Sequence, residues 1–207
     1  MPPRAVKGRA GHILESAATL FREKGLKAVS VDEIVQSAGV AKGTFYLYFK
    51  SKDNLLEELA VTLVQQIAEA AEEAGKVEGG AIDRFAAAVL AMQKVDRSQQ
   101  YLADALNHPE NTALHDRVNT ALVHQVAPVL AAIVEQGKRD GVFNVEDVQS
   151  TVEFLLAGQA ALLGNDRFNW TADERLARLR ATFIIIERSL GAAETALVER
   201  FSAIGIG

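Results

Sequence analysis

The chain has 207 residues, of which close to half are apolar and only four are proline, so it is not a disordered chain and can bury a sizeable core. It contains no cysteine, which excludes disulfides, thiol catalysis and cysteine-ligated zinc. Because no apolar run is expected to reach the ~18 residues of a membrane helix, a cytoplasmic protein is predicted. The net charge of −5 argues against nucleic-acid binding by the whole chain, yet residues 1–52 carry nine Lys and Arg against four acidic residues.

The first third of the chain has helical periodicity throughout. An apolar stripe predicts a first helix that stops at Gly25, a residue typical of helix C-caps. A short second helix opens at Ser30–Glu33, which has the form of a capping box. A brief third helix is predicted over about Lys42–Phe49, and Ser51 can cap a long fourth helix that ends in the glycine-rich stretch Gly75–Gly80.

The later segments also have helical periodicity, and none shows the alternation of a strand. Pro128 lies inside a long predicted helix that ends at Gly141, and it should kink that helix by a clash with the carbonyl of His124. One further helix is predicted to start near Ile82, and others to span about Gln99–Leu106, about Glu146–Leu163 and Thr171 to about Leu190. A last short helix is predicted within residues 193–204. The sequence therefore predicts an all-α fold.

The second and third helices form a helix-turn-helix pattern, with the tight turn at Gly39. A helical wheel of the third helix places Phe45 and Phe49 on the core side. The opposite side has an unusual composition for a solvated surface: Gly43, Thr44 and Leu47, flanked by Tyr46 and Tyr48. These residues suit DNA, because glycine admits close approach, hydroxyls bind phosphates or base edges, and leucine contacts thymine methyl groups. Three lysines bracket this surface as phosphate neutralisers: Lys42, Lys50 and Lys52.

The run Ser30–Leu56, SVDEIVQSAGVAKGTFYLYFKSKDNLL, resembles the DNA-binding signature of the TetR family of bacterial transcriptional regulators, and Ala17–Gly25 resembles the first helix of that family. The resemblance implies that the third helix enters the major groove and that two protomers read a palindrome. It implies the following DNA contacts: Ser30, Lys42, Gly43, Thr44, Tyr46, Leu47, Tyr48, Lys50 and Lys52. Ala41 departs from the family, since many members carry Ser or Thr there.

The resemblance further implies a ligand-responsive regulator, most often a repressor, that a small-molecule effector releases from double-stranded operator DNA. Residues 1–52 are then the DNA-binding domain, and residues 53–207 are the helical domain for effector binding and dimerisation. The expected effector pocket is lined by Phe85, Met92, Gln93, Tyr101, Leu106, Val123, His124 and Phe154. The expected interface of the homodimer comprises Leu155, Gly158, Gln159, Leu162, Leu179, Phe183 and Ile186. Plain core packing is the alternative interpretation of both sets.

Two other classes of protein are weighed against a regulator. An enzyme is disfavoured because the sequence has no glycine-rich phosphate loop, no His-Glu-x-x-His pair and no Gly-x-Ser-x-Gly elbow. His108 and His115, with Glu110 and Asp116, lack the i, i+4 spacing of a helical metal site, so no catalytic residue, metal or cofactor is predicted. A helical partner-binding module would require the basic character of residues 1–52 to be incidental. The effector, the operator and the regulated genes are not predicted.

Overall fold

The computed structural model describes residues 8–98, 102, 112–163 and 168–204, and these residues form helices and connecting turns without a strand. Their order is α1 Arg9–Lys24, α2 Val31–Ser37, α3 Lys42–Tyr48, α4 Lys52–Ala74, α5 Ala81–Ser98, α6 Thr112–Arg139, α7 Val148–Leu163, α8 Ala172–Ser189 and α9 Ala196–Ala203. The predicted all-α fold is confirmed. The predicted helix Gln99–Leu106 lies outside the described residues except for Leu102, which is helical and buried.

Helices α1 to α3 pack around one small core at the N-terminal end. Ile13, Phe21, Ile34 and Phe45 are each fully buried there, and each such side chain contributes about 1.5–3 kcal/mol of hydrophobic stabilisation. Gly25 follows α1 with a φ of 80°, a left-handed conformation that a residue with a Cβ adopts only with strain. The predicted C-cap of the first helix is therefore confirmed.

Helix α4 connects this small core to the rest of the molecule. Its 23 residues span about 34 Å, and Ser51 caps it by accepting a hydrogen bond from the Asn54 N–H at 3.0 Å, as predicted. Leu55, Leu59 and Leu63 recur every four residues on its buried side. Helix α4 packs against α1 at its beginning and against α5 and α6 along its length, so it belongs to both packing units.

The C-terminal helices form layers on α4. Helices α5 and α6 pack on α4 and on each other, α7 packs on α6, α8 packs on α7, and α9 closes against α5 and α8. A cluster of buried aromatic rings holds α9 in place: Phe85, Phe143, Phe183 and Phe201. The buried Glu187 carboxylate accepts hydrogen bonds from the N–H groups of Thr195, Leu197 and Val198 at 2.8–3.2 Å. It thereby satisfies N–H groups that α9 leaves free at its start.

Helix α6 corrects the expectation that no apolar run reaches membrane-spanning length. Over Leu114–Arg139 it is long and apolar enough to cross a bilayer by length and composition, and it is the single helix of the described residues that passes this test. The apolar residues of α6 are explained by its packing against three other helices, α4, α5 and α7. Pro128 lies inside α6 on an exposed side; the kink predicted there remains a prediction.

Two helix starts depend on side-chain caps. The predicted capping box of α8 is confirmed, with Thr171 Oγ1 accepting from the Glu174 N–H and the Glu174 carboxylate accepting from the Thr171 N–H. Helix α7 starts at Val148, two residues later than predicted, because the Asp147 carboxylate accepts a hydrogen bond from the Ser150 N–H at 2.9 Å. This bond, together with one from the Ser150 hydroxyl, lowers the pKa of Asp147.

Candidate nucleic-acid interface

The recognition surface, here defined as the exposed residues of α3, is built on two buried aromatic rings. Phe45 is fully buried and Phe49, directly after α3, is nearly so, which confirms the predicted core side of this helix. The outer side presents large apolar groups to solvent: Leu47 is 82% exposed, Tyr46 52% and Tyr48 49%. Three adjacent exposed side chains of this kind indicate a binding surface, whereas a single one would not.

The aromatic rings of α3 fix one another. Tyr46 packs edge-on against Phe45 with ring centroids 5.3 Å apart, and Tyr48 lies 6.4 Å from Phe49. The two tyrosines are therefore held against buried neighbours while their outer edges remain exposed. Gly43 lies on the outer side between them, with no atom within 4 Å of the position that a Cβ would occupy. The helix backbone is accessible at this point.

Lys42 links the two short helices. Its ammonium lies 2.7 Å from the Asp32 carboxylate on α2, and both side chains are exposed. The hydrogen bond and the charge of Asp32 raise the pKa of Lys42, which therefore stays positively charged at neutral pH. Ala41 precedes α3 and makes no side-chain cap, as its lack of a hydroxyl predicts. Lys50 is exposed just beyond α3.

Lys52 makes contacts within the fold that were not predicted. Its ammonium donates hydrogen bonds to the carbonyl oxygens of Leu26 and Val29, each at 2.8 Å, in the turn between α1 and α2. Its charge is therefore engaged within the fold and its side chain is partly buried, while the phosphate contact at Lys52 remains a prediction. Residue type and position near the motif gave no sign of these carbonyl partners, which come from 23 and 26 residues earlier in the chain.

Ser30 is also engaged within the fold, at the start of α2. Its hydroxyl accepts from the Glu33 N–H at 3.2 Å, and its own N–H donates to the Glu33 carboxylate at 2.9 Å, which confirms the capping box. Lys24 of α1 lies 2.8 Å from the same carboxylate. The hydrogen bond from Lys24, followed by those from Ser30, lowers the pKa of Glu33 to about 2. This cluster fixes α2 against α1 beside the recognition surface.

The described residues predicted to line an effector pocket differ in burial. Phe154 is 80% exposed on α7, which is not the burial expected of a pocket wall. His124 is exposed as well, and Phe85 is a core residue held between Phe143 and Phe201. The half-buried residues of the set are Met92, Gln93 and Val123, while Tyr101 and Leu106 lie outside the described residues.

His115, weighed above only for a metal site, is a buried polar residue that was not predicted to be buried. His115 is 8% exposed on α6, and its Nδ1 lies 3.0 Å from the Asn119 side-chain nitrogen. The signal was present in the spacing, because Leu114 and Val118 define the buried side of the helix and His115 directly adjoins Leu114. Among the described residues, no three His, Asp or Glu side chains come close enough to hold a metal ion; His108 and Glu110 lie outside them.

The residues predicted for a dimer interface divide into two groups. Phe183 and Ile186 are buried within the chain, with the Phe183 ring 4.6 Å from Phe201, so in the single chain these two side chains are core residues. Leu155, Gly158, Gln159 and Leu179 are half-buried, and Leu162 is exposed. The outward surface of α7 and α8 instead carries large apolar residues that were not predicted for it: Phe154, Leu176, Ile184 and Ile185.

A short exposed recognition helix, braced by two others at one end of a helical bundle, defines a helix-turn-helix DNA-binding protein. Comparison with known families agrees with this class. A model described as bacterial regulatory proteins of the tetR family matches residues 13–59, and one described as a tetracyclin repressor-like C-terminal domain matches residues 92–184. The chain belongs to the TetR family and is a transcriptional regulator.

Several relatives and solved structures show the extent of the similarity. YvdT of Bacillus subtilis is 44% identical over 62 residues, which are 30% of this chain and 32% of that protein. The transcriptional repressor KstR2 of Rhodococcus jostii is 27% identical over 154 residues, 72% of this chain and 74% of its own. The structure of RolR with resorcinol has a TM-score of 0.70 at 18% identity and covers 94% of this chain and 93% of RolR; at this identity the likeness shows the fold.

Proposed function

We propose that the protein is a cytoplasmic repressor that binds a palindromic operator as a homodimer and that a small-molecule effector releases it. In this proposal residues 1–52 are the DNA-binding domain, and residues 53–207 bind the effector and dimerise. The observation that carries it is the recognition surface, where Tyr46, Leu47 and Tyr48 are exposed over a rigid aromatic base. The function involves no catalytic residue, metal or cofactor.

The recognition surface suits both kinds of DNA contact. Leu47 projects furthest and meets thymine methyl groups in the major groove, while Gly43 lets the helix backbone approach the base edges. Thr44 and the two tyrosine hydroxyls bind base edges or phosphates, and Lys42 and Lys50 neutralise phosphates at the rim. Ser30, which caps the start of α2, is a further proposed contact at the edge of this surface. Lys52 supports this surface from within the fold.

The dimer follows from the outward surface of α7 and α8. Phe154, Leu162, Ile184 and Ile185 are exposed there in the single chain on two helices that pack against each other, and several exposed large apolar residues are typical of a protein interface. A second copy is the natural occupant, because one short recognition helix contacts too few base pairs for useful specificity. In a dimer the two recognition helices lie about 34–36 Å apart, or a multiple of that distance, to occupy successive major grooves.

An apolar small molecule with few polar groups is the proposed effector. Met92, Gln93 and Val123 are half-buried on α5 and α6, and Tyr101 and Leu106 complete the proposed lining. His115, buried on α6, offers a further polar group beside Gln93. The similarity to RolR, which has been solved with resorcinol, supports a ligand of this size. A shift of α4 on binding then alters the spacing of the recognition helices and releases the operator.

Selection from a pool of randomised duplexes tests the DNA-binding proposal. The protein should enrich a palindrome, and Leu47→Ala should weaken binding to that palindrome by about tenfold or more, because it removes a base contact. Val77→Ala is the matched control, since Val77 is an exposed apolar residue in the turn after α4 and should leave the affinity unchanged. Failure to enrich any sequence would overturn the proposal, as would equal affinities of the Leu47 variant and the wild type.

A further inference from the structure

A series of polar contacts links α6 to Lys50, two residues after the recognition helix. Arg117 on α6 lies with its guanidinium Nη1 2.7 Å from the Glu57 carboxylate Oε2 on α4. The same oxygen accepts a hydrogen bond from the Asn54 side-chain amide at 3.4 Å. The carbonyl oxygen of that amide accepts the Lys50 backbone N–H at 3.2 Å. The side chains of Arg117, Glu57 and Asn54 therefore form a series of contacts from α6 through α4 to the backbone N–H of Lys50.

The last contact of this series lies in the turn between α3 and α4, which sets the orientation of α3. Lys50 stands between α3 and α4, outside the hydrogen bonding of either helix, so its N–H requires a partner from elsewhere. Asn54 supplies that partner and also donates its own N–H to Ser51 Oγ at 3.0 Å. Asn54 therefore bonds two of the three residues between α3 and α4, Lys50 and Ser51. A change in the Asn54 rotamer would alter the path of the backbone from α3 into α4.

The first contact of this series comes from α6, which belongs to the C-terminal helices and not to the small core of α1 to α3. Arg117 belongs to the first turns of α6, where Leu114, His115 and Val118 are buried against the rest of the helical bundle. The Glu57 side chain is 26% exposed, which places it in the less solvated part of the contact, whereas Arg117 is 53% exposed. The guanidinium can thus be changed without opening the core, and a displacement of α6 necessarily moves this charge relative to α4.

We infer that Arg117 is a positioning residue for the DNA-binding surface, holding the turn after the recognition helix through Glu57 and Asn54. This inference rests on the proposed function, because it names how one position of α6 sets the geometry of α3. Arg117 contacts no DNA in this arrangement; it acts by keeping the Glu57 carboxylate, and so the Asn54 amide, in one orientation. Two discrete arrangements of these side chains, bonded and broken, give α6 a means of changing the recognition helix.

A double-mutant cycle with two readouts tests the inference. The full chain is compared as wild type, Arg117→Ala, Asn54→Ala and the double variant, by affinity for the palindrome selected with the wild type and by hydrogen exchange of the Lys50 amide. We expect Arg117→Ala to weaken DNA binding and to accelerate Lys50 exchange by about threefold each, within the range of one partly exposed ion pair. In the Asn54→Ala background the same change should have no further effect, because the contacts between Glu57 and Lys50 through Asn54 are already lost.

Arg139→Ala is the control, because Arg139 lies near the other end of α6 and bonds Gln136 of its own helix. It should change neither readout, and Arg117→Lys should restore part of both. Unchanged Lys50 exchange in Arg117→Ala would overturn the inference, and so would full additivity with Asn54→Ala or faster exchange without a loss of DNA affinity. If the wild type selects no DNA, the proposed function fails, while the exchange measurement still decides whether Arg117 holds the turn.

Discussion

The two surfaces proposed for binding differ in how apolar residues are divided between inside and outside. Helix α3 buries phenylalanine and exposes tyrosine, leucine and lysine, so its outer side combines apolar area with hydroxyls and positive charge. Helix α8 buries Phe183 and Ile186 and also exposes Ile184 and Ile185. An outer surface with hydroxyls and lysines suits a polyanion, whereas exposed aliphatic side chains such as Ile184 and Ile185 suit another protein surface, even where Arg180 and Arg188 stand beside them. This difference is the reason for proposing DNA at one end and a second copy at the other.

Removing the base of the recognition surface should have the largest effect. Phe45→Ala deletes a fully buried ring from the small core of α1 to α3, and a substitution of this kind costs about 3–5 kcal/mol. We expect α1 to α3 to unfold before the C-terminal helices, producing a separate early transition in thermal denaturation followed by circular dichroism. A single transition shifted as a whole would show instead that α4 couples the two packing units into one.

Changing the proposed dimer surface should abolish assembly without unfolding the chain. Ile185→Arg places a charge on the outward side of α8, where the side chain is 54% exposed in the single chain. Sedimentation should then show monomers, and affinity for the palindrome should fall about a hundredfold, because two linked half-sites bind far more tightly than one. Val77→Arg, also exposed but in the turn after α4, should preserve the dimer. A dimeric Ile185→Arg protein would remove α8 from the interface.

The lysines of the recognition end should separate into binding and structural roles. Lys42→Met should lower the dependence of log affinity on log salt by about one unit, because one phosphate contact is lost. Lys52→Met should lower the free energy of unfolding by about 1.5–3 kcal/mol, since two carbonyls lose a charged donor. Salt titration of DNA binding and urea denaturation of both variants measure these effects. A salt slope lowered equally in both variants would show that Lys52 is also a phosphate contact.

The smallest effect concerns pH. The pKa of Glu33 is about 2 in the fold, against an ordinary value of 4.5. Since the folded pKa is depressed, the carboxylate stabilises the fold above about pH 4.5 and loses this contribution as the pH falls towards 2. Urea denaturation should therefore show Glu33→Gln less stable than the wild type at pH 6, with the difference shrinking by pH 3. Glu15→Gln, on the exposed side of α1, is the control. A difference independent of pH would show that the charge of Glu33 is immaterial.

Local sequence signals predicted the caps and the recognition surface well. The capping boxes at Ser30 and Thr171 were predicted because their partners lie three residues away, within the range that a sequence pattern can express. The outer side of α3 was predicted because Phe45 and Phe49 lie four residues apart and therefore share one side of the helix. By contrast, the bonds from Lys52 to Leu26 and Val29 cross more than twenty residues, and no local pattern encodes them.

The sequence by itself determined that the protein is helical, where most helices begin and end, and which side of the recognition helix faces outward, because capping and 3.6-residue periodicity are local properties. The tertiary structure decided which residue of a continuous apolar run is buried. Ile184, Ile185 and Ile186 are equivalent by composition, yet of these three only Ile186 is buried, on a helix that packs against α7 and α9. The structure likewise decided that Arg117 reaches Glu57, a contact 60 residues apart along the chain.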